Sequence, residues 1–81
     1  MTGSEINDLI RVGATDRVRK KLKRMGLKDR LKVLHKCIPY VNVTTESLKF
    51  FKENFSLELG AIMMASEDLD KAESLYRSAK N

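Results

Sequence analysis

Apolar residues recur at helical spacing along most of this chain, and no segment shows strand alternation. Ile6, Leu9 and Ile10 make one stripe in a first helix over about residues 3–12. Thr2 and Glu5 have capping-box spacing, Ser4 is an alternative cap, and Gly13 stands where a C′ residue would. Val18, Leu22 and Met25, at i, i+4 and i+7, predict a second helix that starts after Thr15, whose hydroxyl suits a cap, and stops at Gly26. Leu27, Leu31, Leu34 and Ile38 face inward from a third, over about 28–37. Pro39 ends it by biasing Ile38 away from helical geometry. The following YVNV reads as an extended connector that packs Tyr40 and Val41 on the core, with a small strand as the alternative.

Beyond the connector, Thr44 or Thr45 caps a fourth helix over about 45–54, with Leu48, Phe51 and Phe55 inward. Ser56 caps a fifth over about 57–65, and Ser66 with Glu67 and Asp68 marks the start of a sixth over about 67–79. If the last two merged, Asp68 would fall at the core position after Leu57, Ala61 and Met64, so a break at 65–66 is expected. The expected class is all-α: a single helical domain over residues 1–81, built as a compact bundle of five or six short helices with a C-terminal antiparallel helix pair. The stretch LELGAIMMASEDLDKAESLYRSAKN is similar to one tetratricopeptide unit, with Leu59-Gly60, Ala72, Tyr76 and Ala79 at that repeat's packing positions. The resemblance implies an antiparallel pair with Gly60 and Ala72 at the close contact. A lone unit does not form the peptide groove of that family.

Charge changes this picture most. Over residues 15–36, ten of 22 residues are Lys or Arg, opposed only by Asp16 and Asp29. Residues 1–41 carry 11 basic and 4 acidic side chains, whereas residues 42–81 carry 5 and 7. The basic half suggests a working face for an anion, and the neutral-to-acidic half a packing or partner surface. Each Lys or Arg that neutralises a phosphate releases counterions and adds salt-sensitive affinity. Arg17, Arg19, Lys20, Lys23 and Arg24 are the candidate nucleic-acid contacts, with Lys28 and Lys32 extending the track. The first helix, the VGA turn and the basic second helix also have the outline of a helix-turn-helix. In that motif Thr15, Arg17, Arg19 and Lys20 would approach base edges. The basic run into LKVLHKCIP looks like the first helix of a basic helix-loop-helix protein, but the family's glutamate-arginine pair is missing and Gly26 breaks the continuous helix. Aromatics lie outside the basic stretch, which disfavours single-strand binding by stacking and favours duplex DNA or structured RNA.

Candidate reactive chemistry is sparse. His35 and Cys37 stand about 200° apart on a helix and do not form a dyad. Glu67, Asp68 and Asp70 lack calcium-loop spacing and suit a helix N-terminus. No enzyme activity, metal or cofactor is expected. The single cysteine permits no internal disulfide and fits a reducing compartment. No secretory leader or membrane span is apparent, so an intracellular location is expected, in the cytoplasm, or the nucleus of a eukaryotic or viral setting. The two glycosylation sequons, at Asn42 and Asn54, then read as chance matches. An 81-residue chain buries only about 60 to 65% of its unfolded surface, and a homodimer would bury more. Phe50 and Met63 are the candidate partner or dimer contacts, since Phe50 beside Phe51, and Met63 beside Met64, cannot share one helix face. The alternative function is a helical adaptor or inhibitor that docks an acidic surface of a larger protein, as small six-helix death-fold adaptors do.

Overall fold

The computed structural model describes residues 2–66 and 68–80. Among these there are five α-helices, one 3-10 turn and no strand. Helix α1 spans Gly3–Arg11, α2 Thr15–Arg24, α3 Leu27–Cys37, α4 Thr45–Met64 and α5 Leu69–Lys80, with the turn over Ile38–Tyr40. The all-α bundle follows the apolar stripes: Ile6, Ile10, Val18, Leu22, Leu31, Leu34, Phe51, Phe55 and Ile62 meet in one core. Each such side chain, once fully buried, contributes roughly 1.5 to 3 kcal/mol.

Capping explains most boundaries. Thr2 Oγ1 accepts from the Glu5 N–H at 3.1 Å and opens α1. Gly13, at φ +85°, closes the chain behind it in the left-handed region where a side chain is strained. Gly3 packs so closely on the end of α3 that a Cβ there would collide with the Lys36 carbonyl. Thr15 is the first residue of α2 rather than its cap; Ala14 holds that place without a side-chain hydrogen bond. Thr44 caps α4, its Oγ1 accepting from the Ser47 N–H at 3.1 Å. Asp68 rather than Ser66 opens α5, its carboxylate accepting from the Lys71 N–H at 3.2 Å. Ser66, at φ +48°, makes the expected break after α4. Glu67 lies outside the described residues.

Two expectations are corrected. The chain around Pro39 turns rather than extends: Ile38 sits at φ −50°, ψ −45°, the Val41 N–H donates to its carbonyl at 3.2 Å, and the Val43 N–H donates to the Tyr40 carbonyl at 3.3 Å. Proline's fixed φ suits the second residue of the 3-10 turn, and Ile38 is helical despite the usual restriction on the residue before proline. The fourth and fifth expected helices meet at a kink at Phe55 (φ −137°, ψ 28°), where the break was expected, and run on as one element, α4. Just before it the Asn54 side-chain amide donates to the Phe50 carbonyl at 2.9 Å. Finally, Leu48 leaves the expected inward face of α4: Phe51 and Phe55 are buried as expected, Ser47 and Phe50 are buried beside them, and Leu48 is 44% exposed. Phe50 meets Phe51 edge-on at 5.3 Å between centroids and lies 5.8 Å from Phe55.

Two polar contacts fix how these helices dock. Ser47 Oγ donates to Asn7 Oδ1 at 3.0 Å and accepts from Thr44 Oγ1 at 3.0 Å, joining α1 to the start of α4. Arg30 on α3 meets Glu58 on α4, Nε to Oε2 at 3.3 Å, with both side chains largely withdrawn from water. The Arg30 guanidinium carbon also stands 5.9 Å from the centroid of Tyr76 on α5. Glu58→Ala, which strands the guanidinium without its counter-charge, is expected to cost about 3 kcal/mol in urea unfolding. The double variant Arg30→Met with Glu58→Leu is expected to lose less than the sum of the single changes, and strict additivity would show that the pair is not coupled.

Candidate nucleic-acid interface

The amphipathic pattern of α2 dictates where its charges go. Val18 and Leu22 are fully buried and Met25 is half-buried, so the remaining side chains fan around the solvent side. Arg17, Lys20, Lys21 and Arg24, at i, i+3, i+4 and i+7, line one open depression of about 390 Å³, with no carboxylate among its lining residues. From first to last they span about 10 Å of helix axis. Unit charges a few Å apart repel by about 1 kcal/mol even in water, so a bound polyanion would relieve the strip as well as be attracted to it.

The other candidate residues are placed differently. Arg19 is bound to Asp16 on its own helix. It lines a separate cleft with Thr15, Glu46 and Lys49, where both charge signs are present. The expected base-edge set of Thr15, Arg17, Arg19 and Lys20 is therefore divided between two surfaces. Lys28 Nζ lies 3.0 Å from Asp70 of α5, and the hydrogen bond to that carboxylate, then its charge, holds the ammonium above its usual range. Lys23 and Lys32 are exposed but do not line the α2 depression. Arg30, one of the ten cations of the basic stretch, is turned into the bundle. Lys21, not singled out from the sequence, belongs to the strip, and stepping i, i+3, i+4 and i+7 from Arg17 finds it.

Phe50, expected at a second surface, is a core residue only 5% exposed and offers no partner contact in this fold. Met63 and Met64 are both exposed, at 68% and 72%, because the end of α4 leaves neither covered. An open apolar groove of about 420 Å³ runs beside Met64, between α4 and α5, past Leu57, Gly60, Leu75 and Ala79. A Cβ at Gly60 would meet nothing within 4 Å, so the close contact implied by the tetratricopeptide resemblance is made without it; Ala72 and Tyr76 are buried as that resemblance implies.

His35 is half-buried in a hollow with Ile38, Pro39, Ile62 and Met63. Among the described residues, no three His, Cys, Asp or Glu side chains cluster to hold a metal ion, and no helix is long and apolar enough to cross a membrane. No known protein family, curated protein or solved structure matches the chain.

Cys37 is fully buried, and burial pushes its thiol up to about 11. A group whose folded pKa lies above its unfolded value stabilises the fold below the unfolded pKa, and that contribution is lost as pH rises through the folded one. The expected outcome is a loss of about 2 to 3 kcal/mol between roughly pH 9 and 11 that Cys37→Ala does not show, measured by denaturant unfolding across that range. Alkylation of native protein at neutral pH as fast as that of denatured protein would contradict the buried thiol.

Proposed function

We propose that this protein is a small, non-enzymatic nucleic-acid-binding protein, of regulatory type, that sets a basic helical face on backbone phosphates. The observation that carries the reading is the α2 depression, lined by four cations and no acid. Arg17, Lys20, Lys21 and Arg24 supply the first phosphate contacts, and Lys23 and Lys32 add to the surrounding positive field. Every described aromatic ring is buried or half-buried, which supports duplex or structured nucleic acid over a stacked single strand. Contacts of this kind position a helix on the backbone without reading sequence.

A second reading has one observation in its favour. The exposed Met63 and Met64 suit a helical adaptor or inhibitor whose basic face meets an acidic surface of a larger protein, or a second copy of this chain. The two separate by mutation. Lys20→Glu with Arg24→Glu is expected to weaken binding to a labelled random duplex by more than about 100-fold at about 50 mM salt while leaving helical circular dichroism unchanged, whereas Met63→Ser leaves it intact. Unchanged affinity in the charge-reversed protein would remove α2 as the binding surface.

A further inference from the structure

We infer that the phosphate track does not end with α2 but crosses the α2–α3 junction into a second cationic cleft, where Arg77 and Lys80 at the end of α5 bind backbone phosphate of the same double-helical nucleic acid. The inference rests on the function proposed above and extends it to residues in the otherwise neutral-to-acidic half of the chain.

This cleft, of about 330 Å³, is lined by Leu27, Arg30, Tyr76, Arg77 and Lys80. Like the depression on α2, it has three or more cations and no carboxylate among its lining residues. Its cations are held close together. The Arg30 guanidinium carbon and Lys80 Nζ lie 5.9 and 5.5 Å from the centroid of the Tyr76 ring. Lys80 Nζ also donates to the Tyr76 hydroxyl at 3.4 Å. Arg77 is steadied by Glu73 one turn earlier, at 3.3 Å.

The guanidinium of Arg30 donates from Nη1 to the Met25 carbonyl at 3.4 Å. Its buried Nε lies 3.3 Å from Glu58 but makes no aligned hydrogen bond. Arg30 thus adds positive charge to the lining of the cleft, and the more exposed Arg77 and Lys80 are the cations that can reach a phosphate.

The two clefts are linked by a short stretch of chain: Arg24 lines the first and Leu27, three residues on, the second, so these two Cα atoms are at most about 11 Å apart. About 10 Å along α2 matches about three phosphates of one strand, each advancing about 3.4 Å, and continuation of the bound nucleic acid past α2 would supply the second cleft. Arg77 and Lys80 share a helical face at i and i+3, on the last turn of α5, where they also complement its dipole.

The test is a salt titration, from about 50 to 200 mM, of binding to a labelled random-sequence duplex by the full chain and three variants. The variants are Arg77→Ala/Lys80→Ala, the charge-matched control Lys52→Ala/Lys71→Ala, and Lys20→Glu/Arg24→Glu. Circular dichroism confirms that each is folded. The wild-type plot of log affinity against log salt is expected to have a slope of several units, and the Arg77/Lys80 variant to lower it by about 2, near 0.9 for each phosphate lost. The Lys52/Lys71 control is expected to leave the slope as in wild type. If the Arg77/Lys80 variant behaves like that control while the α2 variant loses binding, the second cleft is overturned and the α2 interface stands. If wild-type protein binds no duplex even at the lowest salt, the function proposed above falls, and this inference with it.

Discussion

One ion pair lies where three helices meet. Arg30 of α3 reaches Glu58 in the second half of α4, and Tyr76 of α5 stands over the guanidinium. Withdrawing two charges from water costs several kcal/mol per ion, and mutual attraction repays that only when each stays opposite the other. A sliding motion of α3 along α4 would separate them, so the pair converts a permissive apolar contact into one docking register. The Phe55 bend is part of the same arrangement, since it redirects the second half of α4 and carries Glu58 and Leu59 against the core. At the other end of the bundle, the Thr44–Ser47–Asn7 hydrogen bonds set α1 on α4 in a similar way.

That register also sorts the cations of the basic stretch. Arg30 is committed to the interior, Arg19 to Asp16, and Lys28 to Asp70. Arg17, Lys20, Lys21 and Arg24 remain together on the outside of α2. A net charge of +5 thus overstates how evenly the protein is basic, and understates how concentrated its unpaired positive charge is. Two shallow clefts have no carboxylate among their lining residues, one on a single helix and the other built by α3 and α5. In the further inference they serve one nucleic acid. The opposite character, apolar and open, belongs to the groove of Leu57, Met64 and Leu75 between α4 and α5.

Much of the fold was legible because local rules and burial agreed. Ile6, Ile10, Val18, Leu22, Leu31 and Leu34 lie on stripes that a helical wheel picks out, and all are buried. The break after Met64 was legible from Asp68, which would have faced the core of a continuous helix. The first turn of α4 was not: Leu48 outranks Ser47 in hydrophobicity, yet Ser47 is inside because Asn7, 40 residues earlier, supplies its partner. Hydrogen bonds of such sequence separation leave no periodic trace. Arg30 did leave one, since it falls with Leu34 and Cys37 at i, i+4 and i+7, and Glu58 falls with Phe55 and Ile62 in the same manner. A base on one apolar stripe and an acid on another is a readable hint of pairing. The density of charge around Arg30 obscured it. The candidate site was half legible: sequence located the basic helix, but packing and local ion pairs decided which of its cations stay together on the outside.

The most direct measurement is amide chemical-shift mapping of labelled protein titrated with a short duplex. Shifts are expected to concentrate on residues 17–24, with residues 57–64 of the apolar groove unmoved. Shifts confined to the groove, or none along α2, would contradict the α2 interface.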